Sequence, residues 1–234
     1  MTPASTPNDA PALDHAVFGN GRVLALVSPT SAIEWLCLPR FDSPSVFGRL
    51  LDRERGGTFR VLAGDREVRG DLAYRPNTNV AVIRFERDDA AWEIVDFAPR
   101  IPSGLGMRLP IEIVRVIRPL RGHPRLRVDF DPRPDYARAA VEIREVSSGL
   151  EIEGGPSRLH LATDLPLPYV LGRQEFTLTR PISFVLGCER ASENDLHARV
   201  RHDLEVTTSG WRAWAKTCAL PTFAPTQVLR SALC

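Results

Sequence analysis

The sequence predicts an all-β fold, two packed antiparallel sheets, followed by helix. Three observations predict it. Short runs of strand formers recur from about residue 13 to 190, roughly every 8–12 residues, the rhythm of a sandwich or barrel. Twenty prolines and sixteen glycines supply the many turns such a fold needs. After residue 190 the composition shifts to a proline-free stretch, 192–217, of helical character.

The elements follow in order. Arg22–Ser28 (RVLALVS) is an apolar run closed by Pro29. Ile33–Leu38 (IEWLCL) follows a Pro-Thr-Ser turn and ends at Pro39, so the two read as a hairpin. Asn79–Arg87 alternates Val80, Val82 and Arg84 against Ala81, Ile83 and Phe85, and Trp92–Phe97 follows the same logic. In Ile111–Ile117, Ile111, Ile113 and Arg115 share one face, opposite Glu112, Val114 and Val116. Its density of β-branched residues predicts burial on both faces. Arg125–Phe130, Val141–Val146, Leu150–Glu153, Arg158–Ala162, Glu175–Thr179 and Ile182–Gly187 continue the series. Trp211 and Trp214 are three apart and share one helix face. Gly210 disfavours helix by about 1 kcal/mol relative to alanine, which allows a helix start on either side of it. Pro225 suits the first position of a second helix, which carries Val228, Leu229, Ala232 and Leu233 on one stripe. With nothing in the sequence to cover that stripe, the chain reads as the front part of a larger protein, and Val228, Leu229 and Leu233 are expected to drive self-association. The division predicted is a disordered tail over 1–12, a β-sandwich over 13–190, a linker helix region over 191–220, and the start of a further domain over 221–234.

Composition excludes several classes. With 30 basic and 29 acidic residues, formal charge +1, there is no excess to attract nucleic acid or a membrane. Lys216 is the only lysine, so 29 of the basic residues are arginine. Arginine favours bidentate carboxylate pairing, and a GC-rich genome accounts for the bias equally well. No apolar run approaches a membrane span of about 18 residues, and the N-terminus lacks a secretory pattern. Cys37, Cys188, Cys218 and Cys234 lie far apart without CxxC spacing, which points away from zinc and disulfides and towards a reduced, cytoplasmic setting. His15, His123, His160, His197 and His202 are scattered, so no metal site is predicted. There is no GxSxG and no phosphate loop, and GNGR at Gly19–Arg22 reads as a turn. No cofactor is expected.

Several stretches carry a resemblance. WLCLPRFDSPSVF (Trp35–Phe47) is the most specific. GGTFRV (Gly56–Val61), YRPNTNV (Tyr74–Val80), VDFAPR (Val95–Arg100), PRPDYAR (Pro132–Arg138) and WRAW (Trp211–Trp214) follow in order. Together they resemble the opening of bacterial glycoside hydrolase family 15 proteins, the glucoamylase and trehalase relatives. The resemblance implies an N-terminal super-sandwich, a linker helix and an (α/α)6 barrel that cleaves α-glucosidic bonds with inversion. The last ten residues then correspond to the first, truncated helix of that barrel. Inversion uses two carboxyl groups roughly 6.5–9.5 Å apart. In family order both glutamates fall beyond Cys234, so this chain has no catalytic residue of its own and is expected to be inactive alone. The implied partners are its own catalytic domain and an α-glucoside, with a homo-oligomer allowed. A free carbohydrate-binding module and a purely structural scaffold are the alternatives.

Within these motifs, Arg40, Phe41 and Asp42 are the candidate substrate-binding residues. Arginine and aspartate are common partners of sugar hydroxyls, and a phenyl ring can stack on a pyranose. The other reading is that Arg40 and Asp42 pair and fix the turn. Asp135, Tyr136 and Arg138 are candidate contacts to the catalytic domain or its substrate, or else a plain strand connection with a buried tyrosine. Trp211 and Trp214 are candidates for pinning the linker helix to sandwich or barrel. Glu34 and Trp35 are expected on opposite sheet faces, a solvated glutamate and a core tryptophan.

Overall fold

The computed structural model describes residues 14–190 and 195–233, so the predicted tail over 1–12 lies outside the described residues. In chain order, β1 (Ala16–Gly19), β2 (Leu24–Val27), β3 (Ile33–Cys37), β4 (Ser45–Phe47) and β5 (Thr58–Ala63) build one sheet. The second sheet starts with β6 (Asp71–Tyr74), β7 (Ala81–Arg87) and β8 (Ala90–Phe97), while β9 (Ile101–Ser103) and β10 (Gly106–Arg108) form a separate hairpin. β11 (Glu112–Arg121) joins the second sheet and β12 (Arg125–Asp131) the first. β13 (Glu142–Val146), β14 (Gly149–Glu153) and β15 (Leu159–Thr163) extend the second. After the short helix α1 (Leu167–Leu171), β16 (Glu175–Thr177) closes the first sheet and β17 (Ile182–Gly187) enters the second. Helices α2 (Leu196–Ala215) and α3 (Pro225–Leu233) follow.

Strand order is β1-β2-β3-β5-β12-β16 with β4 beside β3, and β13-β14-β15-β17-β11-β8-β7-β6. Every pairing is antiparallel. The sheets pack face to face, with Phe59 of the first meeting Phe184 of the second edge-on at 5.4 Å between ring centroids.

The centre of the second sheet is buried on both faces, as the residue pattern of Ile111–Ile117 predicts for that strand. Ala81, Ile83, Phe85, Ile113 and Ile117 face the first sheet. Val80, Val82, Val114 and Val116 face outward, where Val200 and Leu204 of α2 cover them. Arg115 takes the inward position between Ile113 and Ile117 and is 1 % exposed. Its guanidinium pairs with Asp96 through two bonds (2.8 and 2.9 Å), donates to the Phe59 carbonyl at 2.7 Å, and lies 4.7 Å from the Phe59 ring centre. One buried ion pair thereby ties β11 and β8 to β5 of the opposite sheet.

Helix α2 runs through Gly210, starting well before it. Asp195 caps it, its carboxylate accepting from the Ala198 amide at 3.0 Å. A methyl group at Gly210 would meet only Met107 of the β9–β10 hairpin, at 4.0 Å. Gly210→Ala is therefore expected to stabilise the chain by about 1 kcal/mol in urea denaturation.

Two expectations are corrected. β2 and β3 skip one residue, Leu26 facing Trp35 and Val27 facing Ile33. This bulge at Glu34 breaks the alternation: Ile33 and Leu36 both enter the core, so Glu34 and Trp35 point away from it together. Glu34 is not freely solvated but pairs with His15 (2.9 Å) and Arg49 (3.6 Å), and Trp35 is half-buried outside the core. The second correction concerns α3, which is not left uncovered. Leu233 is buried and Arg230 clasps the sandwich, although Val228 and Ala232 remain exposed.

The arginine excess has a structural use. On the first sheet Arg49, Glu67, Arg60, Asp129, Arg173 and Asp131 form a chain of alternating charge, each within ion-pair range of the next. A forked guanidinium can bridge two carboxylates in this way, and lysine cannot do so bidentately. No described helix is long and apolar enough to cross a membrane.

Candidate functional site

Antiparallel pairing fixes which loops share an end. β1, β3 and β12 finish, and β2, β4 and β5 begin, at one end of the first sheet. β6, β8 and β17 finish, and β7 and β11 begin, at one end of the second. Asn20 joins these two ends. Its amide donates to the carbonyls of Pro99 (3.0 Å) and Pro110 (2.9 Å), and its oxygen accepts from the amides of Arg22 and Val23. Asn79 adds a bond to the Gly19 carbonyl at 3.3 Å. The motif loops around residues 20, 40, 57, 78, 99 and 135, scattered along the sequence and over both sheets, thus occupy one end of the sandwich.

On the first-sheet side of this end, Arg40 and Asp42 form a two-bonded pair (2.8 and 3.1 Å), and Ser43 closes the turn on Arg40. That bond from Arg40 holds the Asp42 carboxyl below its ordinary range. Both are exposed, and Phe41 between them is 65 % exposed. The loop after β12 is tied alongside, the Arg133 amide donating to the Val46 carbonyl at 2.8 Å. There Asp135, Tyr136 and Ala137 make one 3-10 turn in which all three have positive φ (54°, 55° and 59°). For non-glycine residues each such conformation costs roughly 1–2 kcal/mol. The turn presents Tyr136, 44 % exposed, with the Arg138 guanidinium 5.2 Å from its ring centre. The structure therefore brings the 40–42 and 135–138 loops to the same end of the first sheet, both next to β4, and Tyr136 is not buried. Gly57 belongs to the same corner. Its φ is +69°, and a side chain there would strike the Asp131 carbonyl at 2.3 Å, which is why the motif carries glycine.

Trp211 and Trp214 lie elsewhere, on α2 against the second sheet. Trp211 is buried beneath the Arg100 guanidinium (4.0 Å), and half-buried Trp214 meets it edge-on at 5.8 Å. Around them lie residues of the sequence motifs for which no role was predicted. The Arg100 amide donates to Thr207, and its guanidinium donates to the Asn20 carbonyl. Arg230 of α3 donates to the Thr78 carbonyl and Asn79 side chain (2.9 and 2.5 Å) and stacks on Tyr74 at 3.7 Å. Asn20, Tyr74, Asn79 and Arg100 thus receive both helices. The signal was their recurrence in turn motifs, but which helix each would hold is a long-range fact.

A family described as trehalase-like, N-terminal matches residues 6–164. The chain belongs to this family. A trehalase of Thermoplasma volcanium is 27% identical to this trehalase-like N-terminal domain over 229 residues, covering 94% of this chain and 36% of the relative. A Thermoplasma acidophilum trehalase is 28% identical over 218 residues, covering 89% and 37%. A Mycobacterium tuberculosis trehalase is 30% identical over 141 residues, covering 55% and 21%. The chain spans little more than a third of the length of the Thermoplasma trehalases it matches.

Proposed function

We propose that this chain is the noncatalytic N-terminal domain of an α-glucosidic hydrolase of trehalase or glucoamylase type. In this reading its motif-bearing end packs on an (α/α)6 catalytic domain that hydrolyses the bond with inversion, and the Arg40–Asp42 loop helps to shape the substrate pocket. Asp135, Tyr136 and Arg138 contact that domain. The observation that carries the reading is the strained turn at Asp135–Ala137 beside an exposed Arg40-Phe41-Asp42 tip. Strain at consecutive non-glycine residues persists where a defined conformation serves a contact. A free carbohydrate-binding module fits less well, because among the described residues the near-parallel aromatic pair, Phe85 and Trp92, is buried. Free Cys37, Cys188 and Cys218 are compatible with a reducing cytoplasm.

The test has two arms. The chain alone should release no glucose from trehalose, maltose or starch, and turnover that survives repeated purification would refute the reading. In the longer protein, Arg40→Ala and Asp42→Ala should each lower kcat/KM about tenfold or more. Melting temperature should barely change, since the pair is exposed. Normal kinetics with a melting temperature several degrees lower would make the loop structural.

A further inference from the structure

Beside α2, on the outer face of the second sheet, a hollow of about 240 Å3 is lined by Tyr74, Arg75, Arg84, Glu93 and Arg118, with Asp71 at its wall. Its charges do not cancel. Buried Glu93 answers both Arg118 and Arg84, the latter at 3.4 Å. Asp71 stands opposite Arg84 across the β6–β7 pairing. Arg75 is left over. Its hydrogen-bond partner is the Thr208 hydroxyl of α2, at 3.5 Å. Among the described residues no carboxylate lies within ion-pair range of Arg75 or of neighbouring Arg212 on α2, whose Nε reaches only the Pro76 carbonyl at 3.4 Å. Burial, and then the charge on Arg118, press the Arg75 guanidinium below its ordinary range, against an opposing pull from Glu93. A half-buried cation among like charges creates a local potential that a small anion would neutralise. The guanidinium fork matches the oxygen spacing of a tetrahedral oxyanion and can hold it through two parallel bonds.

We infer that this hollow binds a small tetrahedral oxyanion of the phosphate or sulfate type, held by Arg75 with support from Arg118 and Arg84. Because Arg75 touches Thr208 and Arg212 holds the carbonyl of the adjacent Pro76, the bound anion fastens the 75–79 loop to α2.

The experiment titrates the 234-residue chain with sodium phosphate, sulfate or acetate at constant ionic strength, chloride being the reference. Arginine Nε–Hε correlation spectra are recorded, with isothermal calorimetry alongside. The Arg75 and Arg118 signals should move saturably with phosphate, at one anion per chain. Arg75→Gln should weaken binding about tenfold or more. Arg144→Gln, whose side chain pairs with Glu142 and Glu153 on β13 and β14, should leave binding unchanged. Should Arg75→Gln fail to fold, Arg84→Gln, a largely exposed side chain, should still weaken binding severalfold. Uniform, unsaturated shifts of all arginine signals would overturn the site, as would wild-type affinity in the Arg75 or Arg84 variant. Acetate binding as tightly as phosphate would overturn the tetrahedral assignment.

Discussion

Asp96→Asn is expected to destabilise the chain by about 3–5 kcal/mol, a large share of the roughly 5–15 kcal/mol that a domain has in total. The substitution preserves volume, so no cavity forms. It leaves the Arg115 guanidinium, 1 % exposed, without its counter-charge between two sheets. The bond to the Phe59 carbonyl remains, but one neutral acceptor does not offset a charge removed from water. Urea denaturation at neutral pH measures the loss. The double variant Asp96→Leu with Arg115→Met removes both charges and is expected to recover most of it. A single-variant loss below about 1 kcal/mol would mean that water reaches the pair, and that the sheets are less tightly joined than described.

Arg115 also marks how far the sequence could be read. Periodicity placed it beside Ile113 on one face, and predicted burial on both faces of that strand. Both hold, because β-branched residues on alternate positions leave no solvated side. What periodicity does not contain is the partner: Asp96 lies on another strand, and Phe59 on the other sheet. Glu34 shows a different limit. Alternation alone sends it opposite Trp35, but a one-residue bulge, set by how β2 registers on β3, turns both outward. Of the strands missed outright, β1, β4, β6, β9 and β10 have three or four residues each, too few for a period-2 pattern to emerge, while the six residues of β5 are buried at nearly every position and so show no alternation. The candidate site was legible in part. Both polar loops were visible from their prolines and charges, and their convergence required the antiparallel order β3-β5-β12. The role of Asn20 was hidden, since a Gly-Asn-Gly turn looks the same whether its amide faces water or carbonyls of another sheet.

Asn20→Ala is the sharper test of that convergence, with an expected loss of about 2–4 kcal/mol. The side chain is fully buried and makes four bonds, two within its own turn and two to the carbonyls of Pro99 and Pro110. Alanine leaves the buried Pro99 carbonyl and Val23 amide unanswered, together with the partly buried Pro110 carbonyl and Arg22 amide, and each unpaired buried group costs more than a typical bond contributes. Asn20→Asp separates the two halves of this role. Aspartate can still accept from Arg22 and Val23 within the turn, yet as a carboxylate it has no proton for the two carbonyls and repels them. If the link between sheets matters, Asn20→Asp should cost at least as much as Asn20→Ala at neutral pH. The damage should also spread to α2, because Arg100 bonds the Asn20 carbonyl, stacks on Trp211 and follows Pro99 in the chain. Amide exchange at Thr207 and Trp211 should then quicken in either variant. Near-normal stability for Asn20→Asp would instead confine Asn20 to closing its own turn, and the motif end would have to be held together by Asn79 and Arg115.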